Sequence, residues 1–172
     1  MQDVENLFLE VGRAIEGSDI ASAKDLLEEI LLIDPAYSRA HNHLGWIYET
    51  GLEDFEKAKR HYELAIKFSN GDYPVVYVNY AYLLIKFERF EEAEEIIEEG
   101  LKIKGADYAA LIYQKGKIAE AKGKYTEACR YYILAGKLSF SKDFILMLDQ
   151  EIDRVKIKMN FWQKLLVKIG NF

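Results

Sequence analysis

His41, His43 and His61 are the side chains best suited to bind a metal ion or move a proton near neutral pH. A metal site needs ligands that converge. His41 and His43 are two residues apart, which on a helix turns them to different faces, so the pattern predicts no metal site. Cys129 is the only cysteine; it follows Ala128, on the side of its helix expected to face solvent. One cysteine gives no intrachain disulfide framework, and it reads as an inert helical thiol. Glu91, Glu92, Glu94, Glu95, Glu98 and Glu99 crowd one short stretch, read as the solvated outer face of a helix. The sequence contains no Gly-rich phosphate loop, no Gly-x-Ser-x-Gly and no His-Glu-x-x-His. It therefore predicts no catalytic residue, no cofactor and no enzyme.

The elements that would position a binding group are written as a repeat. Ala23, Ala58, Ala93 and Ala128 stand 35 residues apart. Three residues earlier stands Ile20, Phe55, Phe90 or Tyr125. Four residues later comes Leu27, Tyr62, Ile97 or Tyr132, and seven later Ile30, Ala65, Gly100 or Ala135. These offsets share one face of an α-helix. A second helix precedes each of these, marked by Gly45, Ala81 and Gly116 and, a turn later, by Tyr48, Leu84 and Ala119. Glycine inside a helix costs about 1 kcal/mol against alanine, so its recurrence points to a close helix contact. Strand-like alternation is lacking, and the pattern predicts helices near 3–16, 19–33, 37–50, 54–69, 73–87, 90–103, 107–122, 125–138 and 142–168. Ser18 or Asp19, Asp54, Asp72 and Ser141 are expected to cap them.

These residues resemble the tetratricopeptide repeat. "LGWIY" followed by "FEKAKRHYELA", and "GKYTEACRYYILA", carry the resemblance, which covers residues 4–142; Asp34-Pro35 closes the first unit as in the family. There are departures. Val11 stands where a small residue is usual, and Asn70, Gly105 and Phe140 stand where a closing proline is usual. "ETGLEDFEKA" in the second repeat carries one extra residue, a Sel1-like feature.

The resemblance implies an all-α fold, an α-solenoid coiled as a right-handed superhelix. Its four helix-turn-helix repeats would occupy residues 3–36, 37–72, 73–107 and 108–141, followed by a C-terminal capping helix over 142–169, in a single domain of residues 1–172. It also implies a concave groove that holds a protein or peptide partner. Carried over residue by residue, that groove offers Arg39, Asn42, His43, Trp46 and Glu49 from the second unit. The third offers Val78, Asn79, Tyr82 and Lys86, and the fourth Tyr113, Gln114 and Lys117. Trp46 and Tyr82 would be rigid anchors, and Asn42 and Asn79 would bond a ligand's backbone. A family subset grips chaperone tails with a Lys/Asn/Arg clamp, but of Asn42, Trp46, Asn79, Ala110 and Gln114 only Asn79 fits that pattern.

The period also fits RNA-binding pentatricopeptide repeats, but a net charge of −6 disfavours nucleic acid. The charge is uneven, −13 over residues 1–100 and +7 over 101–172. No acid follows Asp153, and Lys156, Lys158, Lys164 and Lys168 alternate with Phe161, Trp162 and other apolar residues. Such a segment is a candidate for head-to-tail self-association, making a homo-oligomer, or for contact with a membrane surface. The N-terminal residues lack a basic, then apolar, signal pattern, and no stretch is long and apolar enough to span a membrane, so a cytoplasmic setting is expected.

Overall fold

The amphipathic periods become helices in the computed structural model, which describes residues 3–169. Among the described residues all regular structure is helical. In chain order the repeats are α1 (Val4–Glu16) with α2 (Ile20–Ile33), and α3 (Ser38–Thr50) with α4 (Phe55–Ser69). Next come α5 (Val75–Lys86) with α6 (Phe90–Gly100), and α7 (Tyr108–Ala121) with α8 (Tyr125–Leu138). The chain divides into two compact units, Met1–Leu83 and Leu84–Phe172.

The helix starts follow local chemistry. Asp19, Asp54, Asp107 and Ser141 each accept a bond from the backbone N–H three residues on, at 2.9–3.3 Å. These bonds satisfy donors that a helix N-terminus leaves orphaned. The residue two before the second helix of each pair is left-handed in all four repeats: Ser18, Glu53, Glu88 and Gly123 have φ of 59, 50, 58 and 72°. This conformation turns the chain back on itself, and the next backbone N–H closes the turn. Asp19, Arg89 and Lys124 each donate five residues back, to Ala14, Leu84 and Ala119, at 2.8 Å. In the second repeat the extra residue is taken up here: Asp54 donates six residues back, to Tyr48, also at 2.8 Å.

The repeat columns carry the packing. Ala23, Ala58, Ala93 and Ala128 are fully buried, as are Leu27, Tyr62, Ile97 and Tyr132. Ile20, Phe55, Phe90 and Tyr125 are only half-buried, at the margin of the stripe. A Cβ on Gly45 would stand 2.8 Å from the Tyr62 ring, and one on Gly116 would overlap the Tyr132 ring still more closely. Glycine at these two positions lets a tyrosine ring lie directly on the backbone of the facing helix.

The C-terminal segment departs from expectation. The single helix expected over 142–169 is two, α9 (Lys142–Ile157) and α10 (Phe161–Ile169). Asn160 breaks it, because its side chain accepts from the Gln163 N–H while the Gln163 side chain accepts from the Asn160 N–H, both at 2.9 Å. This reciprocal capping starts a new helix where the apolar spacing alone runs on. Cys129 also differs from expectation. It is fully buried, with its Sγ 4.0 Å from the Ile152 carbonyl of α9, and burial pushes its thiol pKa up.

Candidate partner-binding site

In the first unit, side-chain contacts tie α1 to α3 and α3 to the first part of α5. Glu5 of α1 accepts from the Tyr37 hydroxyl at 3.1 Å and pairs with Arg39 at 3.7 Å. The Phe8 ring meets His43 edge-on at 5.1 Å, and the Arg39 guanidinium lies 5.9 Å from the same ring. Between α3 and α5, Asn79 donates to the Asn42 side-chain oxygen at 3.0 Å, and Asn42 donates to the Tyr73 hydroxyl at 3.5 Å.

This geometry sorts the sequence candidates. Arg39 is exposed, Trp46 is half-buried and Tyr82 is 52% exposed. Asn42 is buried and Asn79 half-buried, and their amides bond each other rather than standing open for a ligand backbone. Glu49 is 3% exposed, and its carboxylate accepts from the Tyr62 hydroxyl at 2.9 Å. The reason is Gly45: with the ring seated on that backbone, the hydroxyl reaches the residue one turn further along α3.

The second unit repeats this device. Gly116 admits Tyr132, whose hydroxyl donates to Glu120 at 3.0 Å. Glu120 is also held by a two-pronged bond from Arg154 and by Lys158 at 2.9 Å, both from the α9 end. Burial pushes its carboxyl pKa up, but the bonds from Arg154, Lys158 and Tyr132 outweigh it and hold it at about 2. Glu120, Arg154 and Lys158 line a cleft of about 650 Å³ that also takes in Lys86, Lys117, Glu88 and Glu151. Lys117 lies 6.0 Å from the Tyr113 ring, while Gln114 is buried. The cleft thus gathers the two groove lysines with Lys158, which the sequence reading assigned to the tail.

The tail residues divide accordingly. Lys156 pairs with Asp153 at 3.3 Å. Phe161 and Trp162 are 71 and 70% exposed, and Lys164 and Lys168 are exposed.

Spacing alone did not reveal the histidine pair. His41 and His61, on α3 and α4, bring their Nδ1 atoms to 3.1 Å. His41 Nε2 lies 3.1 Å from the Pro35 carbonyl, which can only accept. His41 therefore donates from Nε2, and when its ring is neutral its Nδ1 accepts from His61. Burial, then the neighbouring His41, pushes His61 down to about 4. Aromatic neighbours complete the packing, with Tyr48 stacked on His61 and Phe68 on His41. No cluster of three or more His, Cys, Asp or Glu suited to a metal occurs among the described residues.

Helix pairs repeated at 35 residues, with a buried alanine in the second helix of each, define a helical-repeat protein. The family pattern of the tetratricopeptide repeat matches residues 49–118 of the chain, and this match together with the fold supports a tetratricopeptide-repeat protein. Its fold is all-α, of the α-solenoid class. The structure is similar to that of PilF from Pseudomonas aeruginosa, with a TM-score of 0.73, 18% identity, and coverage of 98% of this chain and 77% of that one. It is also similar to the MamA RS-1 ArsTM double mutant, with a TM-score of 0.67, 12% identity, and coverage of 98 and 96%. No curated protein sequence matches the chain. Tetratricopeptide repeats serve in general as protein-interaction scaffolds.

Proposed function

We propose that this chain is a non-catalytic binding module that holds a peptide segment of a protein partner on the α1–α3–α5 face of its first unit. One observation carries the reading: Tyr82 is a 52% exposed aromatic beside a pre-braced helix pair, on the face that also carries Trp46 and Arg39. The Asn42–Asn79 bond supports it differently from the sequence expectation, because it fixes the spacing of α3 and α5 beneath the anchors. A site whose frame is already ordered loses less entropy on binding. The groups best suited to proton transfer, His41, His61, Glu49 and Glu120, are engaged in packing helices together. The Lys86–Lys117 cleft of the second unit is a separate subsite for acidic side chains of the partner. The proposed setting is the cytoplasm.

The test begins with affinity capture and mass spectrometry to name the partner, followed by titration of its binding segment. Trp46→Ala with Tyr82→Ala removes two anchors of the hot-spot kind, and each is expected to weaken binding by at least about 30-fold. Tyr82→Ala alone removes a side chain that is 52% exposed, and its helicity by circular dichroism separates lost binding from lost fold. Unchanged affinity in both variants, with helicity intact, would place the site elsewhere.

A further inference from the structure

α10 has one face committed and one face bare. Val167 packs against the core of the second unit, and Gln163 and Leu165 are half-buried. On the other face Phe161, Trp162 and Leu166 are 71, 70 and 56% exposed, and Ile157 at the end of α9 is 82% exposed. Phe161 and Trp162 meet edge-on at 5.5 Å, ordered against each other. Isolated exposed apolar residues are ordinary, but four large ones gathered around one short helix are not.

The charges on this helix and the residues just before it have one sign. Residues 154–172 contain five Lys and Arg and no Asp or Glu. Lys164 and Lys168, one turn apart, are exposed beside the apolar stripe. Both lysines also line a cleft with Asp149, Asp153 and Lys156 of α9, in which Asp153 pairs with Lys156.

We infer that α10 seats its bare face on an anionic lipid surface, with the aromatic rings at headgroup level and the lysines on the lipid phosphates. Nine residues at about 1.5 Å each give a helix far shorter than the roughly 30 Å hydrocarbon core, so α10 lies in the plane of the surface. Among the described residues no helix is long and apolar enough to cross a membrane. Trp and Phe beside Lys is the composition that such an interfacial helix needs. Anionic headgroups supply the counter-charge, and the cytoplasmic leaflet is the surface that carries them. Two copies meeting through the same face would instead bring their lysines together, which opposes a symmetric contact. This inference is independent of the peptide face in the first unit.

The experiment is flotation of the whole chain with phosphatidylcholine vesicles, with and without phosphatidylserine, at low and high salt. Binding is expected only with phosphatidylserine. It should weaken by at least about ten-fold in high salt, in Phe161→Ala/Trp162→Ala and in Lys164→Glu/Lys168→Glu. The exchanged side chains are exposed, and circular dichroism checks that the helices persist. A Trp46→Phe background leaves Trp162 as the sole tryptophan, and brominated lipid should quench its fluorescence. Failure to float with phosphatidylserine, or equal flotation of the Phe161/Trp162 variant, overturns the inference. So does a lipid-free dimer by sedimentation that the Phe161/Trp162 variant abolishes, since the bare face would then belong to a second copy.

Discussion

At the scale of single residues, two glycines carry an unusual share of the packing. Gly45 and Gly116 sit under Tyr62 and Tyr132, and each tyrosine hydroxyl then reaches a glutamate four residues after the glycine. Adding one methyl group should displace the ring and loosen the carboxylate bond together. Gly116→Ala is expected to destabilise by about 1–3 kcal/mol despite the better helix propensity of alanine. Thermal or urea unfolding measures it, and a neutral or stabilising result would mean that the ring can shift freely. The glycine columns and the tyrosine columns were both legible in the sequence. The glutamates were not, because Glu49 and Glu120 look like any charged residue on an amphipathic helix. Only their position four residues after a glycine and opposite a tyrosine marks them.

At the scale of elements, the turn between paired helices is the most regular feature after the helices themselves. Ser18, Glu53 and Glu88 hold a left-handed backbone that glycine holds at Gly123. A side chain in that region costs on the order of 1 kcal/mol. Glu88→Gly is therefore expected to raise stability by about 0.5–1 kcal/mol, read as a higher midpoint in urea unfolding; a loss would show that the Glu88 side chain does more than tolerate its backbone. Helix positions were legible because apolar residues keep a helical period against polar ones. The break before α10 was not, because apolar residues stand on both sides of it and the period has no gap. Its one local signal was Asn160 with Gln163 three residues on, a capping pair hidden inside an apolar run. The asparagines fail for another reason: Asn42 and Asn79 are 37 residues apart, and nothing local says that they meet.

At the scale of the whole molecule, the two units carry different responses to acid. In the first, His61 is pushed down to about 4 from an ordinary value of 6.5. A native state that binds fewer protons than the unfolded chain loses stability as the pH falls, so this contribution is complete above about 6.5 and fades towards 4. In the second, Glu120 is held at about 2 against an ordinary 4.5, and its contribution fades only between those values. Amides of α3 and α4 should lose hydrogen-exchange protection at a higher pH than those of α7 and α8. Exchange followed by mass spectrometry at stepped pH tests the order; simultaneous loss would show that neither group sets the response. His61→Phe should flatten the first window and leave the second in place.

The second turn shows where this architecture keeps its slack. With one residue more than its counterparts, it still ends in a 2.8 Å bond from the N-cap of the next helix, because Asp54 reaches one position further back. Lengthening is absorbed outside the helices, and the alanine and tyrosine columns beyond it keep their faces. The unit of inheritance here is the column and not the count of residues, so an insertion at such a turn disturbs its neighbours little. A strict period still finds the alanine column, while the first-helix column steps 36 residues from Gly45 to Ala81, and the same turns are natural places to splice in a tag or a cleavage sequence.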